Sequence, residues 1–251
     1  MMKSRQLFAG LLLAVTLPAC AESLTVAVAA NVQYAFDDLR MAFKKETGND
    51  VQPVYNSSGK FTAQIMNGAP FDVFLSADMA YPEKLHAAGF AAGAPKVYAY
   101  GALVLWTMRD LDLGQWQRVL TEPVVAKIAV ANPKTAPYGA ETMNALAHLK
   151  LDATLRPKLV FGESIAQTNQ YIYSTAAEAG FTAKSVVLSP AMRGKGTWVD
   201  LPKDAYRPIA QGVVILQHGQ QNHPVLARQF YDFLFSDKSS AIFERYGYLL
   251  P

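Results

Sequence analysis

An α/β fold with doubly wound, mostly parallel sheets is what this sequence predicts, and three observations carry the prediction. Short, continuous apolar runs of strand length recur along the chain, beginning with "LTVAVAA" at residues 24–30. The early runs alternate with stretches of helical periodicity, the β-α-β order of a parallel sheet covered on both faces. The turns from strand to helix are short and made of small or polar residues, as in "NSSG" at 56–59.

The elements follow in order. After the first strand, "NVQYAFDDLRMAFKKETG" places Phe36, Leu39 and Phe43 at i, i+3 and i+7, with Lys44 and Lys45 near the end and Gly48 to close the helix. "VQPVY" is the second strand, leading through "NSSG" into a helix with Phe61 and Ile65 on one face, stopped by Asn67-Gly68 and Pro70. "DVFLSA" is the third. The middle of the chain repeats the pattern: strand "KIAVAN", loop "PKTAPYG", helix "AETMNALAHLK", strand "KLVFG", helix "ESIAQTNQYIYSTAAEAG" and a third strand "SVVLSP". Two further apolar runs, "ALVLWT" (102–107) and "GVVIL" (212–216), bracket this block. They suit crossover strands between two lobes, and equally two strands of one sheet. The tail "PVLARQFYDFLFSDKSSAIFERYGYLLP" holds two amphipathic helices, expected to pack on the first block.

The chain opens as an export signal. Lys3 and Arg5 precede an apolar run, Leu7–Leu17, and Ala19-Cys20-Ala21 fits a small-residue cleavage site. Cleavage after Ala21 is expected; Leu17-Pro18-Ala19-Cys20 loosely resembles a lipoprotein signal, which makes lipid attachment at Cys20 the alternative. Cys20 is the only cysteine, so the mature protein has neither a disulfide nor a cysteine nucleophile. The chain carries 23 basic and 20 acidic residues, and Lys3 and Arg5 leave with the leader. That near-balance gives no electrostatic case for nucleic acid or a membrane surface. The mature length of roughly 230 residues can bury a full core, in one domain or two lobes.

Catalytic signatures are missing. No G-x-S-x-G elbow occurs, and His86, His148, His218 and His223 form no H-x-x-x-H or H-E-x-x-H pair, so the sequence supports no zinc site. "SSGK" is not a P-loop: Val54 stands five before Gly59 where glycine is required, and Phe61 follows Lys60 where Ser or Thr is required. Asp78 and Glu163 lie near strand-to-helix turns and read either as an acid/base pair or as capping groups.

Four strand-to-helix turns carry the functional reading: Ala30-Asn31, Asn56-Ser57-Ser58-Gly59, Ala136-Pro137-Tyr138-Gly139 and Gly162-Glu163-Ser164-Ile165. Ligands of open parallel sheets sit beyond the carboxyl ends of the strands. Two lobes facing each other would bring all four turns to one cleft. Each helix start offers unpaired N–H groups and a partial positive charge, and Asn31, Ser58 and Tyr138 add side-chain donors. Such a cleft suits an oxyanion held by neutral dipoles. Capping or turn geometry would explain each turn taken singly.

Taken together, "AVAANVQYAFDDL", "SSGKFTAQIMNGAPFDVFLSAD", "ANPKTAPYG" and "AIFERYGYLL" resemble the periplasmic molybdate-binding proteins of ABC transporters, in order and spacing, from about Leu24 to Pro251. The resemblance implies a two-lobed periplasmic-binding fold of type II, each lobe a doubly wound, mostly parallel sheet flanked by helices. It implies a signal peptide over 1–21, a first lobe over 22–102, a second lobe over 103–216, and C-terminal helices of the first lobe over 217–251. The ligand would be molybdate or tungstate, held as an oxyanion with no direct metal ligand, and no cofactor or catalysis is implied. Ser58 matches a serine that holds the oxyanion; Asn31 falls where many members have serine; Tyr138 occupies the "PYG" position; and Ile165 matches a residue that contributes its main-chain N–H. Ala30 would contribute through its backbone. Ala183 stands where many members place a tyrosine, and Tyr138 is the candidate to replace that hydroxyl. Lys60, on the first turn of its helix, is read as a solvated side chain. The partners implied are an inner-membrane permease and its ATPase, with the protein a periplasmic monomer. Another tetrahedral oxyanion such as sulfate or chromate is the alternative ligand, and a hydrolase the remote one.

Overall fold

The structure is a computed structural model and describes residues 23–251; the expected leader and Cys20 lie outside the described residues. Strand β1 (Ser23–Ala29) passes through a short 3-10 turn (Ala30–Val32) into α1 (Gln33–Thr47), which buries Ala35, Phe36, Leu39 and Phe43. Gly48 ends α1 at φ +76°, its N–H closing on the carbonyl of Lys44, a left-handed stop that glycine adopts without a Cβ penalty. Next come β2 (Asp50–Asn56), α2 (Ser58–Met66), β3 (Val73–Leu75) and α3 (Ala80–Ala87). Then β4 (Lys96–Gly101) runs almost directly into β5 (Leu103–Thr107).

The middle of the chain forms α4 (Trp116–Val119), β6 (Ile128–Ala131), α5 (Pro137–His148), α6 (Asp152–Leu155), β7 (Leu159–Gly162) and α7 (Ile165–Tyr173). It continues through β8 (Ala179–Ala183), α8 (Lys184–Leu188) and β9 (Thr197–Asp200). The chain ends with β10 (Ile209–Ile215), α9 (Gln217–Asn222), α10 (Pro224–Phe233) and α11 (Asp237–Arg245). None of the described helices is long and apolar enough to cross a membrane.

These strands make two five-stranded sheets of matching design, ordered β2-β1-β3-β10-β4 and β7-β6-β8-β5-β9. In the first, β1 pairs in parallel with β2 and β3, while β10 runs against both β3 and β4. In the second, β6 pairs in parallel with β7 and β8, while β5 runs against both β8 and β9. Each sheet thus has four strands in one direction and one reversed. The reversed strand is in each case the first to arrive from the other lobe, so two crossings, β4 to β5 and β9 to β10, join the two lobes.

Three expectations need correction. "SVVLSP" is not a strand: Lys184–Leu188 is a helical turn, and the third parallel strand of the second sheet is β8, "AGFTA". The strand signal is weak because α7 lies directly on it. A Cβ at Gly180 would stand 2.7 Å from the Ile172 side chain and 2.8 Å from that of Ala129, so only a small residue fits there. The helix expected over 163–180 accordingly ends at Tyr173. The span 103–216, expected as the second lobe, overruns it: β10 pairs with β3 and β4, so 209–216 belongs to the first sheet.

The tail helices pack where the amphipathic pattern requires. The ring of Phe230 on α10 lies 5.9 Å from Phe36 and 5.2 Å from Phe43 of α1, and Phe243 on α11 lies 5.3 Å from Tyr98 of β4. This aromatic layer ties the last residues of the chain to the first helix.

Candidate functional site

All four strand-to-helix turns singled out in the sequence meet at one buried cavity between the lobes. It holds about 10 Å³ of space in which a water-sized sphere can sit. The first lobe lines it with Ala29, Ala30 and Asn31 after β1, Ser57 and Ser58 at the start of α2, and Ala77 after β3. The second lobe adds Ala136, Pro137 and Tyr138 at the start of α5 and Ile165 at the start of α7. Each of the five residues expected at the site (Ala30, Asn31, Ser58, Tyr138 and Ile165) is therefore there, and none is more than 4% exposed. No residue lining the cavity carries a charge.

The donors follow from how the helices begin. The first N–H groups of a helix have no acceptor within it. At the cavity these belong to Ala30 and Asn31 on the 3-10 turn, Ser58 on α2, Tyr138 on α5 and Ile165 on α7. Pro137 takes the first position of α5, where its missing N–H costs nothing and its fixed φ suits the helix. The four helix starts add their dipoles in the same small volume, so the field in the cavity is positive without a cation.

Ser58 is held for donation. Its Oγ accepts the N–H of Ala77 at 2.9 Å, which leaves the hydroxyl hydrogen as the group free to turn to the cavity. Ser57, the residue before α2, is buried with a hydroxyl that has no partner and does not cap the helix. Sequence reasoning named its turn but assigned the donor role to Ser58 alone; nothing in "NSSG" distinguishes the two serines. Both line the cavity.

Asn31 and Tyr138 differ from expectation in where their side-chain polar atoms go. The Asn31 amide nitrogen donates to Gln211 Oε1 at 2.6 Å and lies 3.3 Å from the Tyr248 hydroxyl. Its main-chain carbonyl oxygen accepts from Ser185 Oγ at 2.8 Å and from Tyr248 Oη at 2.9 Å. Asn31 therefore works largely as a fixed post, tied to the second lobe through Ser185 and to the chain end through Tyr248. The Tyr138 hydroxyl has no formed hydrogen bond and presses on the hinge at Gly101, where a Cβ would come within 1.9 Å of it and 2.9 Å of Gln211 Nε2. Burial pushes its phenol well above the ordinary tyrosine value, with Tyr248, Tyr98 and Tyr206 adding to the rise and the nearby Asn31 side chain opposing it. The supporting residues Gln211, Ser185 and Tyr248, and Tyr98, whose hydroxyl donates to Gln211 Oε1 at 3.1 Å, were not found from sequence. They come from four distant segments with no motif to join them.

The mouth of the cavity is closed by direct contacts between lobes. The Gly59 N–H donates to the Thr135 carbonyl at 2.9 Å, and Tyr81 Oη donates to the Lys134 carbonyl at 3.2 Å. A Cβ at Gly59 would stand 2.9 Å from Thr135 Cα and 2.7 Å from Tyr81 Oη, so the approach depends on glycine. Lys60, expected to be solvated, instead pairs with Glu163 across the mouth at 2.5 Å, with both side chains still reaching solvent. Asp78, the other carboxylate weighed as a catalytic partner for Glu163, accepts from Ser76 Oγ and the Tyr81 N–H. The two acids have separate partners and make no acid/base pair.

Comparison with known proteins now bears on this geometry. The model of the family described as bacterial extracellular solute-binding protein matches residues 24–249. The chain is 40% identical over 229 residues to the molybdate-binding protein ModA of Azotobacter vinelandii, covering 91% of this chain and 90% of that protein. It is 37% identical over 240 residues to the molybdate-binding protein ModA of Rhodobacter capsulatus, covering 95% and 93%. Among solved structures, the periplasmic molybdate-binding protein of Azotobacter vinelandii superposes with a TM-score of 0.85 at 36% identity, covering 91% of this chain and 99% of that one. The chain belongs to the bacterial extracellular solute-binding proteins and, within them, to the family of the molybdate-binding proteins.

Proposed function

We propose that this protein captures molybdate, and with it tungstate, between its lobes and delivers the anion to an ABC importer. The observation that carries the reading is a buried cavity where four helix starts and two serine hydroxyls converge with no charged side chain in its lining. Two of the relatives above are named as molybdate-binding proteins, which supports this ligand over other tetrahedral oxyanions.

The chemistry fits a fully deprotonated dianion. The helix-start N–H groups can only donate and the serine hydroxyls can donate beside them, and hydrogen bonds to a charged acceptor contribute about 1.5–3 kcal/mol each. A protonated oxyanion such as hydrogen phosphate would bring a hydrogen to face one of those donors. A lysine or arginine in the cavity would draw in any anion; here Lys60 is kept at the mouth by Glu163. Asn31, Ser58, Tyr138, Ile165 and Ala30 are the proposed binding residues, joined by Ser57, with Asn31, Tyr138, Ile165 and Ala30 acting through their N–H groups.

One copy of the chain supplies the whole cavity, so the protein would act as a monomer, exported by its leader and cleaved after Ala21. The closed form, in which residues of both lobes form the mouth, is the one a permease would recognise. No catalytic step or cofactor belongs to this reading.

Thermal melting with added anions tests it. A ligand at about a thousand times its dissociation constant stabilises the folded state by roughly 4 kcal/mol. Melting should rise with molybdate and tungstate and stay unchanged with sulfate and phosphate. A rise with sulfate alone, or with none of the four, would sink the ligand assignment.

A further inference from the structure

Far from the cavity, at the opposite end of β3, the chain assembles a second constellation that the oxyanion reading does not use. Asp72 stands just before β3, His218 lies in α9, and His223 lies between α9 and α10. In a continuous helix, residues five apart point about 140° from each other and cannot share a partner. Here the helix ends at His223, whose backbone has left the helical region (φ −136°, ψ 49°) ahead of Pro224, a residue that disfavours the helical conformation in the one before it. The break folds both rings onto one carboxylate oxygen: His218 Nδ1 lies 2.8 Å and His223 Nδ1 3.0 Å from Asp72 Oδ1.

From this convergence we propose that Asp72, His218 and His223 form a binding site for a first-row divalent cation, with zinc as the best fit. The three ligand atoms lie within 4.8 Å of one another. A tetrahedral zinc with bonds of about 2.0–2.1 Å needs ligand atoms roughly 3.3 Å apart, so small ring rotations open the triangle to receive the ion. Two imidazoles and one carboxylate are a donor set that zinc accepts, whereas calcium and magnesium prefer all-oxygen shells.

The support around the carboxylate is of the kind metal sites use. Asp72 is buried, its Oδ2 accepts the Thr25 N–H at 2.7 Å, its own N–H donates to the Thr25 carbonyl at 2.8 Å, and its carbonyl accepts from Leu216 at 2.9 Å. Close packing behind it is fixed too, since a Cβ on Gly219 would stand 2.4 Å from the Asp72 carbonyl oxygen. The histidine side chains are about one-third exposed, at 36% and 31%, which gives the ion an entry path and a water a fourth position. Bound there, the cation would pin the junction of α9 and α10 to the first sheet, where the chain returns from the second lobe.

Calorimetric titration of the untagged chain from Glu22 with zinc chloride alone tests the proposal, without any oxyanion present. One ion per chain is expected, together with a rise in melting temperature on zinc addition. His218→Gln and His223→Gln keep an N–H donor for Asp72 but remove a ligand, so each should weaken zinc binding at least tenfold. Their zinc-free melting temperatures should stay close to that of the parent, which shows that the fold is intact. Absence of zinc binding by the parent, or equal binding by parent and both variants, would overturn the site and leave the oxyanion reading untouched. If a glutamine variant lowers the zinc-free melting temperature markedly, His218→Asn and His223→Asn replace them under the same criterion.

Discussion

The two lobes share one topology but bring different chemistry to the cavity between them. The first lobe presents side-chain hydroxyls: Ser57 with no partner at all, and Ser58 with its oxygen already engaged by Ala77. The second lobe presents almost only main chain, the N–H groups that begin α5 and α7, with Pro137 and the Tyr138 ring as walls. The cores differ in the same sense. Four phenylalanines, Phe36, Phe43, Phe230 and Phe233, interlock beneath the first sheet, whereas the second lobe has a single aromatic pair, Trp116 with Phe181.

Substitutions can break that comparison, and the largest effect belongs to the first lobe. Ser58→Ala removes a proposed donor to the ligand and also leaves the Ala77 N–H without its acceptor. The loss should be about 1.5–3 kcal/mol, roughly tenfold to a hundredfold in affinity by titration calorimetry. Ser57→Ala removes an unpartnered hydroxyl and disturbs nothing else, so its loss should be smaller, about tenfold at most, with melting temperature unchanged. Both serines behaving as silent would mean that the first lobe, too, acts through backbone alone.

Gly59→Ala attacks closure instead of contact. The new Cβ would meet Thr135 Cα at 2.9 Å, a backbone atom that cannot swing aside. Overpacking of this kind typically costs about 1–3 kcal/mol, so binding should weaken and solution scattering should show a more open particle with ligand present.

The second lobe should be nearly indifferent to its side chains. Tyr138→Phe removes a hydroxyl that has no partner and lies against Gly101, so affinity should change by less than about threefold, and stability should hold or rise. A loss as large as that of Ser58→Ala would show that the phenol turns to the ligand and replaces the hydroxyl missing at Ala183. The smallest effect is expected at the mouth. Lys60 and Glu163 remain open to solvent, and exposed ion pairs contribute about 0–1 kcal/mol, so Lys60→Ala should leave affinity within about threefold at moderate salt.

How much of this was legible in the sequence varies with how locally each feature is encoded. The three parallel strands that begin the first sheet read directly, because β1, α1, β2 and α2 carry strong periodicity and Gly48 marks its own stop, whereas β4 was not read as a strand and β10 was placed with the second lobe. The second sheet hid β8, because Gly180 must leave room for Ile172 of α7 and Phe181 is the one large apolar residue in "AGFTA", too little for the apolar signature of a strand. Helix starts at the cavity were legible, since each lies within one turn of sequence. What was not legible depends on long-range closure. The Gln211–Asn31 contact spans 180 residues and the Tyr248–Asn31 contact 217, and both decide what the Asn31 side chain does. The same holds for His218 and His223: no metal motif is visible in their spacing, because the third partner, Asp72, lies 146 residues before His218.

The account rests on an anion held by uncharged donors, and the pH profile of molybdate affinity tests that most directly. Tyr138 is the one titratable residue lining the cavity, and burial keeps its phenol neutral well beyond the ordinary tyrosine value. Molybdate stays a dianion across the neutral range. Titration calorimetry between about pH 6 and pH 9 should therefore return a flat affinity, with no net proton uptake or release on binding. A fall approaching tenfold per pH unit anywhere in that range would mean that a protonated side chain holds the ligand, and the reading of the cavity as a site of neutral dipoles would be wrong.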